Sequence, residues 1–229
     1  MGPGDAPPAV PLNLVGDYGG GAMFLMSGVL AALLSARQTG KGRIVDACIT
    51  DGVASLMSLF HAWRHTGRWQ DRPRSNLLDG AAPFYRCYRC ADGKDVAVGC
   101  LEPQFFEQMV AGLGLADRRY DQHDRAVWPV MERDFAEAFA TRSRDEWADA
   151  FADTDACVSP VLSMDEAVGH PHNRSRKSFV ERDSVIQPAP APKMTGLEEK
   201  AITKPREMIM GEAAARWSVG AEREAFSAS

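Results

Sequence analysis

The chain has 229 residues, a length that fits one large domain or two small ones. Hydrophobic residues make up 45% of it and charged residues 25%, which excludes global disorder, collagen-like repeats and coiled coils. The formal net charge of −5 leaves no basic footprint, so no nucleic-acid partner is expected. Five cysteines, an odd number in a chain too large to depend on disulfides, are expected to be free thiols.

The start of the chain and its longest apolar run bear on targeting. The first residues, MGPGDAPPAVPLNLVGD, contain neither the basic nor the apolar region of a signal peptide. The apolar run from Ala22 to Leu34 covers 13 residues and is interrupted by Ser27 and Gly28, whereas a membrane-spanning helix needs about 20. We therefore expect a cytoplasmic protein that makes no membrane contact.

Periodicity and turn residues predict a helical first part. A helix is expected from Gly19 to Arg37, where the turn residues 39–42 (TGKG) follow. The β-branched run 43–49 predicts a strand, and a second helix is expected over 51–63. Residues 67–83 collect Gly, Pro, Asp and Asn without periodicity and are interpreted as a linker.

The pattern then changes to a small α+β unit. Two strand-like runs, 84–90 and 95–101, flank Asp92-Gly93, a strong signal for a β-hairpin. Helical spacing follows over 103–112, 124–140 and 143–152. Residues 187–192 (QPAPAP) predict an extended proline-rich connector, and a final helix is expected near 211–226.

One candidate site is an acidic residue in a glycine cluster, Gly16-Asp17-Tyr18-Gly19-Gly20-Gly21, just before the first helix. Glycines let a backbone approach a ligand closely, and free N–H groups at a helix start can hold a carboxylate or a developing oxyanion. A negative charge at Asp17 is also favourable at that end of a helix. The plainer alternative is that Asp17 is only the N-cap of the helix.

A second candidate site is the junction between a strand and a helix at Leu101-Glu102-Pro103. Proline is the preferred first residue of a helix, so Glu102 is expected at the N-cap. Glutamate is not among the favoured caps, which makes a carboxylate there a candidate for a catalytic role. An ordinary exposed glutamate is the alternative.

No metal site is expected. Cys87 and Cys90 have C-x-x-C spacing, but they lie in a strand-like run that points residues three apart to opposite faces. His170 and His172 flank a proline without a cysteine or carboxylate cluster beside them.

In chain order, the motifs resemble the family III CoA-transferases, most closely the branch of α-methylacyl-CoA racemases. The resemblance covers nearly all of the chain and fades after about Lys204. The motifs are residues 12–21 (LNLVGDYGGG), 39–42 (TGKG), Val45-Asp46, Asp51-Gly52, Asp79-Gly80, 83–85 (PFY), 101–105 (LEPQF), 170–172 (HPH) and 187–192 (QPAPAP).

The resemblance implies an α/β fold, with a partial Rossmann-like large domain, an inserted small α+β domain and two interlocked subunits. Residues 1–66 would form the partial large domain with the Asp motif, 67–83 the linker, 84–165 the small domain, and 166–229 the return to the large domain. In the family, the histidine base and most residues that hold CoA precede the Asp motif, in a stretch this chain is expected to lack. CoA itself is part of the substrate, so no cofactor is expected.

The resemblance also implies a racemase or epimerase of 2-methylacyl-CoA thioesters. Asp17 matches one of two bases that exchange the proton beside the thioester, and Glu102 matches a glutamate that supports the other base, a histidine. Two alternatives stay open: a CoA-transferase in which Asp17 is the nucleophile, or an inactive fragment or subunit. The candidate substrate-binding residues are Asn13, Gly19, Gly20 and Leu101.

Overall fold

The computed structural model describes residues 7–182 and 184–195. Within these residues the chain forms two compact units, one that ends at Val161 and one that begins at Leu162. The first unit contains a helical N-terminal part and a small antiparallel sheet with three helices. The second contains two short helices and a β-hairpin.

The helical part starts earlier than its sequence pattern indicates. A π-helix over Leu14–Met23 continues directly into α1, Phe24–Thr39, which ends at Gly40 in the left-handed conformation (φ 69°). The predicted helix is confirmed, but it begins at Leu14 rather than Gly19. The second predicted helix is interrupted at Met57, which separates α2, Ile49–Leu56, from α3, Ser58–His65.

The strand predicted over residues 43–49 is wrong. Residues 43–48 have no regular structure, and α2 already begins at Ile49. An extended segment becomes a strand only when a neighbour satisfies its hydrogen bonds, and no described segment pairs with this one. It packs on α1 instead, where a Cβ added at Gly28 would lie 2.8 Å from Cγ1 of Val45.

The small sheet has the predicted hairpin at its centre. Strands β1, Tyr85–Arg89, and β2, Asp95–Gly99, pair antiparallel, and β3, Val158–Pro160, adds to the other edge of β2. Gly93 makes the turn with φ 75°, and its N–H donates to the carbonyl of Cys90 at 3.0 Å. The Asp-Gly signal is thus confirmed.

Three helices cover this sheet and form the core with it. They are α4, Pro103–Gly112, α5, Trp128–Phe139, and α6, Arg144–Phe151; a 3₁₀ turn at Ala116–Arg118 follows α4. The predicted helices are confirmed, although α5 begins at Trp128 rather than 124. The largest core side chains are Phe84, Tyr88, Phe106, Met109, Trp128, Met131, Phe135, Phe139, Trp147 and Phe151.

The segment 67–83 has no helix or strand, as predicted, yet it packs closely. The amide of Asn76 is buried, accepts from the N–H of Gln70 at 2.7 Å and donates to Asp79 at 2.7 Å. Ala82 at its end is fully buried in the core.

The second unit is small. It contains α7, Met164–Gly169, and α8, Pro171–Ser175, followed by strands β4, Phe179–Arg182, and β5, Val185–Pro188, which pair antiparallel. The predicted proline-rich connector therefore begins inside β5. The helix predicted near 211–226 lies outside the described residues.

Among the described residues, the helix Leu14–Thr39 is long and apolar enough to cross a membrane by length and composition. It reaches 26 residues because the π-helix and α1 are continuous. Its most apolar window has a mean hydropathy of 1.7. Only 6% of that window is buried. A helix that is apolar on all sides is normally buried, either in a protein core or in a membrane. The exposed side chains of α1 include Phe24, Leu25, Met26, Val29, Leu30, Leu33 and Leu34.

Helices α4 and α6 touch at a glycine, Gly112. A Cβ added at Gly112 would lie 2.3 Å from Cε1 of the buried Phe151. We expect Gly112→Ala to lower the free energy of unfolding by about 1–3 kcal/mol, because overpacking outweighs the helix propensity of alanine. Urea unfolding followed by tryptophan fluorescence measures this. Gly99→Ala, where nothing lies within 4 Å, is the control, and equal stability of the two variants would contradict the prediction.

Candidate functional site

Asp17 lies within the first turn of the π-helix, with its side chain exposed. Asn13 is the N-cap, and its carbonyl accepts from the N–H of Tyr18 at 3.2 Å, a bond that spans five residues. The interpretation of Asp17 as an N-cap is therefore wrong. π-helical segments are rare and are found frequently at functional sites.

The glycines after Asp17 have a packing reason. A Cβ at Gly20 would lie 2.7 Å from Cγ2 of Val53, and a Cβ at Gly52 would lie 1.9 Å from the carbonyl oxygen of Gly20. The backbones of the π-helix and α2 thus touch directly, and no other residue type fits at this crossing. This contact holds the turn that carries Asp17.

The same geometry corrects one expectation about donors. Gly19, Gly20 and Gly21 lie inside the π-helix, so their N–H groups are used within it. The N–H groups without an intrahelical partner precede Tyr18. The free N–H groups expected at the helix start are therefore those before Tyr18 and not those of the glycines, and substrate binding by Asn13, Gly19 or Gly20 stays a prediction.

Glu102 is the N-cap of α4, as predicted. Its backbone is extended (φ −76°, ψ 138°), and Pro103 is the first residue of the helix. Its carbonyl accepts from the N–H groups of Phe105 at 3.1 Å and Phe106 at 3.0 Å. Its carboxylate is exposed and makes no capping bond, so it is available to another group. Its catalytic role stays a prediction.

The negative charge of Glu102 contributes to the raised pKa of two nearby thiols, Cys100 and Cys157. Burial raises the pKa of Cys100 to about 12, and the nearby carboxylate acts in the same direction. Burial and then Glu102 also raise the pKa of Cys157. Both thiols therefore stay protonated at neutral pH. All five cysteines are free, as expected, and the described residues contain no cluster of three or more side chains that could hold a metal ion.

A residue that the sequence analysis missed holds the junction before Glu102. The side-chain Nε2 of Gln122 donates to the carbonyls of Cys100 at 3.1 Å and Leu101 at 3.0 Å. Gln122 is buried, although it lies in a polar stretch between Asp121 and His123 that has no periodic pattern. No local signal in the sequence distinguishes it from its exposed neighbours.

The candidate residues form two separate groups in the first unit. Asn13, Asp17, Gly19 and Gly20 lie on the π-helix, whereas Leu101 and Glu102 lie at the β2–α4 junction. No hydrogen bond or ion pair joins Asp17 to Glu102. Within the described part of this unit, no histidine hydrogen-bonds to either carboxylate; the histidines there are His61, His65 and His123.

Comparison with solved structures shows the fold. A CAIB/BAIF family protein from Brucella suis superposes with a TM-score of 0.69 at 16% identity, over 95% of this chain and 58% of that chain. The sequence model described as CoA-transferase family III matches residues 1–205. The chain therefore belongs to this family, which confirms the resemblance and the α/β fold class.

Individual relatives refine the comparison. The α-methylacyl-CoA racemase of Homo sapiens is 42% identical over 187 residues, covering 81% of this chain and 49% of the racemase. The acetyl-CoA:oxalate CoA-transferase of Acetobacter aceti is 25% identical over 186 residues, covering 78% of this chain and 47% of the transferase. The chain thus spans about half the length of the curated relatives it matches.

The glycine crossing gives a prediction about the Asp17 turn. We expect Gly52→Ala to separate the π-helix from α2, because the new methyl group would overlap the Gly20 carbonyl. Amide hydrogen exchange in both helices should become about tenfold faster or more, which corresponds to an overpacking cost of about 1–3 kcal/mol. Gly42→Ala, with nothing within 4 Å, is the control. Unchanged protection in Gly52→Ala would show that the two backbones are not in contact.

Proposed function

We propose that the protein racemises or epimerises 2-methylacyl-CoA thioesters. The observation that carries this proposal is the 42% identity to the human α-methylacyl-CoA racemase, against 25% to the oxalate CoA-transferase. The structure supports it by presenting an exposed carboxylate at Asp17 on a turn braced by α2.

In this mechanism Asp17 is one of two bases. The thioester carbonyl acidifies the neighbouring C–H bond, so a carboxylate on one face of the carbon can remove its proton. Inversion requires an acid on the opposite face to deliver a proton to the resulting enolate. The unpaired N–H groups before Tyr18 lie in the same turn and are suited to stabilise the charge on the enolate oxygen.

Glu102 supports the second base, a histidine. A carboxylate that accepts a hydrogen bond from one imidazole nitrogen determines which nitrogen exchanges the substrate proton. No histidine of the described first unit makes this bond, so we assign the second base to a part of the family fold that the matched region does not cover. We further propose a cytoplasmic homodimer with interlocked subunits that takes acyl-CoA as substrate, uses no cofactor and contacts neither nucleic acid nor membrane.

CoA transfer between carboxylic acids is the second candidate. An exposed Asp17 without a hydrogen-bond partner also suits nucleophilic attack on a thioester, which would form an acyl-aspartate and release the CoA thiolate. The relatives named as CoA-transferases support this alternative, although their identity is lower. Hydroxylamine decides between the two reactions, because it traps an acyl-aspartate and does not react with a simple proton-exchange site.

The exposed helix α1 fits the same proposal. Its apolar side chains have exposed fractions from 38% to 60%, and the relatives contain about as much chain again as the matched part. We propose that α1 becomes a core helix when the rest of the large domain covers it. An inactive fragment or subunit is the outcome where that cover is missing.

The first test concerns Asp17. In D₂O, we expect the protein, prepared as its gene encodes it, to exchange the α-proton of a 2-methylacyl-CoA for deuterium. Asp17→Asn should lower the exchange rate about 10²–10⁴-fold, because a positioned base contributes that much. Mass spectrometry of the recovered thioester measures it.

Asp117→Asn, an exposed aspartate in the 3₁₀ turn, is the matched control and should retain full exchange. Exchange that survives Asp17→Asn contradicts the role of this residue. A hydroxamate at Asp17 in hydroxylamine, together with a lack of proton exchange, favours the transferase instead.

The second test concerns α1. We expect the 229-residue chain alone to self-associate and to bind an apolar dye, because α1 exposes a large contiguous patch. The double variant Leu30→Glu, Leu34→Lys should reduce both effects. Light scattering after size-exclusion chromatography and dye fluorescence measure them. Val130→Glu, an exposed valine on α5, is the control, and a monomeric chain without dye binding would contradict the prediction.

A further inference from the structure

The chain needs two hydrogen-bond donors just before Glu102. Strand β2 ends at Gly99, so the carbonyls of Cys100 and Leu101 lie beyond the hydrogen bonds of the sheet. Both belong to the junction that leads into α4, and Cys100 is fully buried. Buried carbonyls without donors are unfavourable by about 1–3 kcal/mol, so the path of the chain here depends on what supplies them. The two bonds from the Gln122 amide, at 3.1 Å and 3.0 Å, meet this need.

Gln122 is itself fixed from the other side. Its backbone carbonyl accepts from Nε1 of Trp128 at 2.9 Å, and Trp128 is buried at the start of α5. The indole ring packs edge-on against Phe84 with 5.7 Å between ring centroids. The amide is therefore held on the core of the sheet rather than on a loose loop.

The other end of the amide has no partner in the part of the chain that the structure describes. The Oε1 of Gln122 is buried and has no hydrogen-bond partner among the described residues. An apolar side chain of the same length would remove this unpaired oxygen, but it would leave the carbonyls of Cys100 and Leu101 without their donor. The amide therefore has one unpaired atom, its oxygen, which is unfavourable. Its two donated bonds are the contribution that an apolar residue could not make.

We propose that Gln122 is a positioning residue for Glu102. It acts by holding the two peptide groups that precede this carboxylate, and it does not touch the substrate. The inference rests on the proposed function, in which Glu102 orients the second base. A carboxylate that must hold an imidazole within hydrogen-bond reach tolerates only small displacements, because a shift of 1 Å can lower a rate by about 10².

The experiment compares three variants of the intact protein. Gln122→Met keeps the length of the side chain and removes both donors. Glu102→Gln removes the carboxylate and leaves the junction intact. Gln108→Met is the matched control, because the amide of Gln108 also bonds to the backbone, with its oxygen accepting from the N–H of Asp155 at 3.0 Å, but on an exposed surface.

The first readout does not need activity. In Gln122→Met, hydrogen exchange at Leu101, Phe105 and Phe106 should be about tenfold faster or more, because their N–H groups bond within this junction. Amides of β1 and of α5 should change less than twofold. Unchanged exchange at the junction, or an equal increase in β1 and α5, would overturn the proposal, since it would show no effect or only a general loss of stability.

The second readout is α-proton exchange of 2-methylacyl-CoA. We expect Gln122→Met to lower kcat about tenfold or more with less than a twofold change in KM, in parallel with Glu102→Gln. If Glu102→Gln lowers kcat and Gln122→Met does not, the positioning role of Gln122 is overturned and the role of Glu102 stands. Turnover unaffected by Glu102→Gln overturns the role assigned to Glu102, whatever Gln122→Met does.

Gln122→Glu keeps the test open if the methionine variant fails to fold. When protonated, the introduced carboxyl can donate one bond to the junction, and when ionised it repels both carbonyls. Junction exchange relative to the wild type should therefore rise with pH. A ratio that does not change with pH would overturn the proposal.

Discussion

The contact between the Gly20 and Gly52 backbones is the constraint on which the Asp17 side of the structure depends. A methyl group at Gly52 would lie 1.9 Å from the Gly20 carbonyl, so these two helices can cross only at glycine. The crossing packs against a π-helix, a rare form that is found frequently at functional sites. Through this contact the turn that carries Asp17 packs against α2.

The Glu102 side depends on a different kind of scaffold. Aromatic side chains from the hairpin, α4, α5 and α6 form one core, and the β2–α4 junction lies at its edge. Trp128 and Gln122 connect this core to the two peptide groups before Glu102. The two carboxylates are therefore held by different parts of the structure. The contact between Gly20 and Gly52 holds the turn of Asp17, and the core of the sheet holds the junction before Glu102.

This separation agrees with a family whose members are about twice as long as the matched region. The described chain carries two of the groups that the proposed proton exchange requires, and neither is paired with a histidine in the first unit. The apolar surface of α1 is consistent with the proposal that other parts of the large domain cover it, because a helix without a polar face is normally buried in a protein core or in a membrane.

Local rules in the sequence determined much of this protein. The Asp-Gly hairpin, the start of α4 at Pro103 with Glu102 at its N-cap, and the family itself were all predictable, because turn geometry, capping and motif order depend on neighbouring residues. Only the tertiary structure decided the start of the π-helix at Leu14, the lack of a strand at residues 43–48 and the burial of Gln122. Each of these depends on residues distant in sequence: the π-helix packs against α2, no described strand lies beside residues 43–48, and Gln122 bonds to the carbonyls after β2. Contacts of this kind do not appear in the local sequence pattern around the residue that makes them.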